Sequence, residues 1–390
     1  MSRCHPDLPA LLERVHQIGR DAIAPHAASV DADARFPTEA FAAFKEAKLL
    51  SCYVPVEHGG MGLSISDLSK ICEAMGNYCG STAMVFAMHQ IQVGCIVHGA
   101  LGSPYFQGVC RELVEKQLVL ASATTEAGIG GDVRTSSCFV DPVGDRVQLL
   151  KQAPVISYAL DSDAILVTAR RSASAGPNDQ VHVFVRRSDC TLEPLETWDT
   201  MGFRGTCSLG FVLRADVGPE QVLPTPYAEI HAKVMHSFAH AVWTSLWLGL
   251  ANDAVHRARA HLKAQARKTP GTIPPNALRL AEVDNQLFQM RACVENTVAE
   301  YHQRLLDHPG AFPQDFAYSL RVNNLKVAVS KLLIEVVSGA LNVTGIAGYR
   351  NDTKYSLSRH LRDAYGASLM VHNDRILGQS APLQLMVRDV

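Results

Sequence analysis

The chain has no excess of charge of either sign and no secretory signal at its start. Its 390 residues carry 36 Lys and Arg against 38 Asp and Glu, a formal net charge of −2, so no basic surface for nucleic acid is expected. The first residues lack an apolar segment ahead of a cleavage site. The most apolar run, 241–251, is too short to span a bilayer. We therefore expect a cytoplasmic protein with no nucleic-acid and no membrane partner.

Paired metal ligands are also missing. The ten cysteines are scattered without a CxxC pair, and buried free thiols in a reducing compartment explain this distribution best. One close histidine pair, His236 and His240 in HSFAH, has Ser237 where an HExxH site has its glutamate. We predict a structural role for this pair and no metal centre.

Two further absences concern nucleotide binding and acid–base chemistry. No GxGxxG opens a βαβ unit, which argues against a Rossmann-type site. No glutamate occurs after Glu335, and neither Asp nor Glu occurs from His231 to Asn252. These two regions therefore offer no glutamate as a general base.

Residue periodicity divides the chain into three parts. It is helical from about 6 to 116, and the segment 81–100 is apolar on nearly every face, which is typical of a buried helix. Short β-rich runs between about 118 and 222 favour an antiparallel barrel or sandwich. Long helical segments at about 227–268, 276–306 and 314–342 predict an antiparallel bundle. The predicted domains are an N-terminal helical domain (1–117), a middle β-barrel domain (118–223) and a C-terminal helical bundle (224–390).

Six motifs in a fixed order resemble those of the acyl-CoA dehydrogenases over essentially the whole chain. The resemblance implies an α+β fold with an N-terminal helical domain, a central antiparallel β-barrel and a C-terminal four-helix bundle. It also implies bound FAD and a homotetramer or homodimer, because the family's cofactor site spans two subunits. The motifs are VPVEHGGMGLS (Val54–Ser64), SATTEAGIGGDV (Ser122–Val133), KQAPVIS (Lys151–Ser157), MGFRGTCS (Met201–Ser208), ARKTPG (Ala266–Gly271) and the block from Gly345 to Arg375.

The resemblance also implies which residues contact the flavin. The loop after the first barrel strand would present backbone amides and hydroxyls to the ring, and its glycines would allow close backbone approach. The next barrel segment would supply a hydroxyl able to bond flavin N5, here Ser157, with Val155 leaving a roomier pocket than the family's tryptophan. The expected contacts are Ser122, Thr124, Thr125, Gly130, Val155, Ile156, Ser157 and Asn373.

Three more positions are expected to reach the flavin of a neighbouring subunit. Arg267 in ARKTPG corresponds to the family's clamp on the FAD pyrophosphate, and a guanidinium can hold phosphate oxygens bidentately. A solvated arginine at a helix end is the alternative, and without the clamp the flavin could be FMN. Asn342 and Gly345 stand where the family faces the partner's adenine dinucleotide.

The family's catalytic glutamate is absent from its usual place. The position falls on Val371, and the second position used by some members falls near Ala239 and His240. The remaining candidates for a base are His89, His372 and Asp374. His89 lies beside two glutamines in MHQIQV, where a buried core histidine is the competing interpretation.

Substrate contacts are expected at Val371 and at Gly131, where the family often has a serine that helps to hold the thioester tail. Two enzymatic interpretations remain. The first is a dehydrogenase acting on a CoA- or carrier-bound acyl group and passing electrons to an acceptor flavoprotein. The second is a monooxygenase that uses oxygen and reduced flavin supplied by a flavin reductase. A non-catalytic binding protein is a third, against which the retained flavin-loop residues argue.

Overall fold

The N-terminal part of the protein is a compact set of helices. The computed structural model describes residues 5, 7–310, 312–313 and 315–387. Ser64 begins the fourth helix with a capping box, because its hydroxyl accepts the N–H of Asp67 while that carboxylate accepts the N–H of Ser64. The helices are α1 (Leu8–Ile18), α2 (Ala27–Ala32), α3 (Thr38–Glu46), α4 (Ile65–Gly76), α5 (Gly80–Gly99) and α6 (Pro104–Lys116).

The predicted buried helix is α5. Its residues are buried on all faces, as its uniform apolar character requires. Within the described residues, α5 and the helix Phe316–Thr344 are long and apolar enough to cross a membrane, but 89% and 50% of their apolar windows are buried inside the protein. Burial of this kind is what core helices of a folded domain show.

The middle of the chain forms two sheets. β2, β3, β7 and β6 make an antiparallel sheet in that order, and β1, β4 and β5 make the other. β4 pairs antiparallel with β5, but β1 runs parallel to β4, a departure from the all-antiparallel expectation. The strands are β1 (Leu120–Ala123), β2 (Asp141–Val143), β3 (Arg146–Ala153), β4 (Ala164–Arg170), β5 (Gln180–Arg186), β6 (Cys190–Glu196) and β7 (Gly210–Val217).

Long helices return after the sheets, at the three places that the periodicity predicts. A π-helical segment, His231–Phe238, joins α7 to α8 without a break, and the sequence pattern did not reveal it. π-Helical turns often occur at functional sites. The helices are α7 (Tyr227–Ile230), α8 (Ala239–Ala266), α9 (Ala277–Asp307), α10 (Phe316–Thr344), α11 (Ile346–Tyr349), α12 (Ser358–Leu369) and α13 (Asn373–Gln384).

The Arg-Asp-Ala element of the last motif ties these parts together. Arg362 forms an ion pair with Asp31 and donates to the carbonyl of Met201 at 2.7 Å. Asp363 is fully buried and accepts the N–H of Phe203 at 2.6 Å. Burial raises the pKa of Asp363 to about 6. The motif thus joins α12 to the N-terminal helices and to the loop before β7.

A buried ion pair joins β3 to the loop after β1. Lys151 Nζ lies 3.1 Å from Glu126 Oε2 and donates to the carbonyl of Thr168 at 2.8 Å. The other Glu126 oxygen accepts the N–H of Cys138 at 2.6 Å. Both side chains are almost completely buried, so each charge depends on the other.

We predict that Lys151→Met lowers the free energy of unfolding by about 3–5 kcal/mol, because it leaves the Glu126 carboxylate buried without its counter-charge. Urea unfolding followed by circular dichroism measures the loss. Arg146→Met is the control, since Arg146 pairs with Asp216 on the surface and its loss should leave the midpoint unchanged. Equal midpoints for the Lys151 variant and wild type would contradict the role of this pair.

Candidate active site

Three segments that are distant in sequence meet at the candidate site. They are the loop 124–134 after β1, the segment 154–157 after β3, and the turn 371–373 between α12 and α13. Thr125 Oγ1 donates to the carbonyl of Val155 at 3.0 Å, which joins the first two. The turn 371–373 is joined to the loop 124–134 by Arg375, in the first turns of α13, which donates to the carbonyls of Gly130 and Gly131.

The glycine loop has an open face. Gly128, Gly130 and Gly131 all have positive φ, which favours glycine. A Cβ at Gly128 or Gly130 would meet no atom within 4 Å, so a planar ligand can approach the backbone there. A Cβ at Gly131 would collide with the Arg375 guanidinium. The serine that the family often has at this position therefore has no room while Arg375 lies against the loop.

Hydroxyl groups gather beside this loop. Ser122 and Thr124 share a hydrogen bond of 2.7 Å. Ser157 shares one of 2.8 Å with Ser208, which continues to Thr206 at 2.8 Å. Sequence reasoning missed the last two residues, because only the fold brings the MGFRGTCS motif next to Ser157.

One expected cofactor contact is left only its backbone carbonyl. The Ile156 side chain is fully buried in the core, and its N–H donates to the carbonyl of Leu209 at 2.8 Å. The expected contact of Ile156 with the cofactor stays a prediction for its carbonyl. Its neighbour Val155 is 37% exposed and is available to a ligand.

The turn 371–373 carries local backbone strain. Val371 has φ +41°, which is unfavourable for a β-branched residue. Strain of this kind costs about 1–3 kcal/mol and is typical of functional sites. The Val371 side chain is 40% exposed, so it stands at the surface of the site, at the position where the resemblance puts the family's glutamate.

A buried lysine holds this turn from behind. Lys326 of α10 donates to Asn373 Oδ1 at 2.7 Å, to the carbonyl of Val371 at 3.1 Å and to that of Ser368 at 3.4 Å. Burial lowers the pKa of Lys326 to about 7. Asn373 Nδ2 also donates to Ser330 at 3.1 Å. The Asn373 side chain is therefore committed to α10, and only its backbone is left for the expected cofactor contact.

His89 is a structural residue. Its Nε2 donates to the carbonyl of Leu50 at 2.7 Å, and its Nδ1 accepts the N–H of Leu120 at 3.0 Å. The ring is fully buried, and burial lowers its pKa to about 4. Both nitrogens are used by the backbone, which corrects the expectation that His89 is a catalytic base.

The other two candidate bases lie on the surface of the turn. His372 caps α13, because its Nδ1 accepts the N–H of Asp374 at 3.2 Å. The His372 side chain is half exposed, whereas that of Asp374 is 86% exposed. Asp374 is thus not enclosed by the site. His372 is the better placed of the two.

The positions expected to reach a partner's flavin are all exposed. Arg267 follows the last residue of α8, and Asn342 and Gly345 lie at the end of α10. Within the described part of the chain, no hydrogen bond joins them to the three segments of the site. Their role toward a second subunit stays a prediction. Among the described residues no group of three His, Cys, Asp or Glu could hold a metal ion.

Comparison with known proteins gives a consistent family. The model of the acyl-CoA dehydrogenase N-terminal domain matches residues 5–104, and that of the C-terminal domain matches residues 233–370. Cyclohex-1-ene-1-carbonyl-CoA dehydrogenase of Syntrophus aciditrophicus (strain SB) is 26% identical over 91% of this chain and 84% of its own length.

Solved structures share the fold at lower identity. The FMN-bound dibenzothiophene monooxygenase TdsC from Paenibacillus sp. A11-2 superposes with a TM-score of 0.84 at 19% identity, covering 98% of both chains. Butyryl-CoA dehydrogenase from Megasphaera elsdenii gives a TM-score of 0.81 at 18% identity, covering 99% of this chain and 100% of its own. Dehydrogenases and monooxygenases thus share this architecture.

We predict that His89→Leu lowers the free energy of unfolding by about 1–3 kcal/mol and leaves flavin affinity unchanged. The variant removes the partner of the buried Leu120 N–H, while the carbonyl of Leu50 keeps a bond from Gln90. Urea unfolding and flavin fluorescence titration give the two readouts. His256→Leu, on the exposed face of α8, is the matched control. A weaker flavin affinity with wild-type stability would contradict the structural role and show that His89 contributes to the flavin site.

Proposed function

The chain belongs to the acyl-CoA dehydrogenase family, and from that premise we propose that it is a flavin-dependent oxidoreductase. Its flavin would lie among the loop 124–134, the segment 154–157 and the turn 371–373. The open backbone at Gly128 and Gly130 and the hydroxyls of Thr125 and Ser157 fit a flat ring with polar edges. Backbone amides and hydroxyls would hold the ring without a Rossmann motif.

The proposed flavin is FAD, bound by a homotetramer or homodimer. Arg267 is exposed at the end of α8, where a second subunit could bring the pyrophosphate, and Asn342 and Gly345 are exposed in the same way. FMN is the alternative, since TdsC, which shares the fold, is an FMN-bound protein. Exchange of FAD for FMN in the purified oligomer would show which flavin is held more tightly.

The reaction that the geometry supports best is oxygenation. The observation that carries this is Val371, an apolar residue at the place of the family's base. The second position is no better, because burial holds the pKa of His240 well below its usual value and keeps the ring neutral and weakly basic. When bound, reduced flavin would supply two electrons to dioxygen, so that one oxygen atom enters the substrate and the other becomes water.

Arg375 also argues for a substrate without a thioester tail. Its guanidinium occupies the space beside Gly131, where a serine often helps to hold that tail in the family. A tail following the same path would have to displace Arg375 from the carbonyls of Gly130 and Gly131. A small substrate that enters without such a tail leaves this contact in place. The proposed electron donor is a flavin reductase.

Dehydrogenation of an acyl thioester is the second candidate. The 26% identical relative is named as a dehydrogenase of a CoA thioester, and half-exposed His372 lies one residue beyond the position of the family's base. In this case His372 would take the proton alpha to the carbonyl, and an electron-accepting flavoprotein would be the partner. We propose a cytoplasmic location for either activity.

We predict that butyryl-CoA and cyclohex-1-ene-1-carbonyl-CoA will not bleach the bound flavin under anaerobic conditions, because no carboxylate stands at Val371. The same protein, given reduced flavin by a reductase, is expected to transfer labelled oxygen from ¹⁸O₂ to resorcinol, an uncharged ring without a thioester tail. Visible absorbance and mass spectrometry provide the two measurements. Reduced flavin and resorcinol without the protein form the control.

Bleaching by either thioester would overturn the oxygenase assignment in favour of the dehydrogenase. His372→Asn then tests the base, since bleaching should become at least about a hundred-fold slower if His372 takes the proton.

A further inference from the structure

Six aromatic side chains form a continuous row behind the candidate site, which we term the imidazole row. Consecutive ring centroids are 4.8, 5.7, 6.2, 5.1 and 5.8 Å apart, and most neighbours meet edge to face. The row begins in β5, passes along the π-helical segment and ends in α8. Its members, in order, are His182, Tyr227, His231, His236, His240 and Trp243.

Most polar atoms of the imidazole row have no partner in the described part of the chain. Both ring nitrogens of His182 and of His240, the Tyr227 hydroxyl and Trp243 Nε1 are buried and make no hydrogen bond. The carbonyl of His236 lies close enough to act on the charge of His240 but not in hydrogen-bonding geometry. Buried polar atoms almost always have a partner, so this concentration indicates a ligand or ordered water at the row.

The row lies against the turn 371–373. His236 Nε2 bonds Asn323 Oδ1 at 2.8 Å, and Asn323 Nδ2 donates to Ser380 of α13 at 3.0 Å. One turn further along α10, Lys326 holds Asn373 and is close enough to lower the pKa of His240. The middle of the row therefore borders the elements that carry the turn.

The β5 end of the row is joined to the loop 124–134 by one hydrogen bond. Gln180, two residues before His182 in β5, donates to the carbonyl of Val133 at 3.4 Å. Asp132 and Arg134 of the same loop are close enough to act on the charge of His231. The row thus runs between the two segments that would enclose the flavin, so a molecule bound to it would lie next to the ring.

The row is uncharged near neutral pH. Burial lowers the pKa of all four histidines, to about 3 for His182 and His231. Among the cations near the row, Lys151 pairs with Glu126, and Arg134 lies 3.4 Å from Asp132. Lys326 is held by Asn373 Oδ1 and by two carbonyls. A neutral imidazole offers one donor and one acceptor and gives no Coulombic attraction to an anion. The row is therefore suited to an uncharged ligand that both donates and accepts hydrogen bonds.

We propose that the imidazole row is the substrate-recognition wall of this site and binds an uncharged ring compound that carries at least two hydrogen-bonding groups. Edge-to-face aromatic side chains favour a flat ring as the ligand body, and the unpartnered nitrogens and hydroxyl would satisfy its polar groups. An aliphatic acyl chain would leave those atoms without partners. The proposal deepens the proposed function and rests on it, because the row becomes a substrate wall only if the flavin lies beside it.

Two matched probes test this wall without any turnover. Resorcinol and m-xylene have the same ring and substitution pattern, but one carries hydroxyls where the other carries methyl groups. Isothermal titration calorimetry on the full-length oligomer, with and without FAD, is expected to give a dissociation constant at least about ten-fold lower for resorcinol, since sites built for hydrogen bonds reject analogues that lack them.

Variants of His240 test whether this residue is responsible for the preference for resorcinol over m-xylene. His240→Leu should abolish the advantage of resorcinol, whereas His240→Gln, which keeps a donor and an acceptor, should retain it. His256→Leu, on the exposed face of the same helix, should leave the ratio at its wild-type value. The wild-type comparison remains decisive if the leucine variant does not fold.

The proposal is overturned if m-xylene binds as tightly as resorcinol, or if neither probe binds, since water alone would then satisfy the row. It is also overturned if His240→Leu keeps the wild-type ratio of the two dissociation constants. These outcomes are independent of the oxygenation test. Preferential resorcinol binding by a protein that oxidises nothing would support the wall and remove the proposed reaction. Oxygenation without preferential binding of resorcinol would support the proposed reaction and overturn the substrate wall.

Discussion

The architecture of the site depends on one buried amine. The side chain of Lys326, a residue of α10, is fully buried. It donates to Asn373 and to the carbonyls of Val371 and Ser368. An ammonium group without acceptors cannot remain inside a protein, so these contacts tie the end of α12 and the start of α13 to the bundle. The same contacts hold Val371 in its strained conformation. A single side chain thus sets the position of the turn that would face the flavin.

The turn keeps its position in the fold, but the residues around it are not those expected for dehydrogenation. The turn is held at the place where the resemblance puts the family's base, yet the residue presented there is a valine. On the other side, Arg375 fills the room next to Gly131, and behind the turn stand imidazoles whose buried ring nitrogens have no partner among the described residues. These three features are the ones on which the proposed oxygenation and the proposed substrate class rest, and none of them closes the open backbone at Gly128 and Gly130.

The fold could be predicted from the sequence because its signals are local. The uniform apolar character of α5 and the three long helical periods are both visible in short windows of residues. The parallel pairing of β1 with β4 and the π-helical segment are set by tertiary packing and were not visible there. His89 looked like a site residue because its two backbone partners, at Leu50 and Leu120, are distant in sequence. Lys326 gave only a weak signal, a lysine inside an apolar helix, and its role requires knowing that α10 lies beneath the turn.

The most direct measurement is the flavin dissociation constant of Lys326→Met, obtained by fluorescence titration alongside the circular dichroism spectrum. The account predicts an unchanged helical spectrum and flavin binding weakened by about ten-fold or more, a loss of ~1.4 kcal/mol or greater, because the turn 371–373 is no longer held. Wild-type affinity in a correctly folded Lys326→Met protein would contradict it, since the turn would then form the site without its anchor.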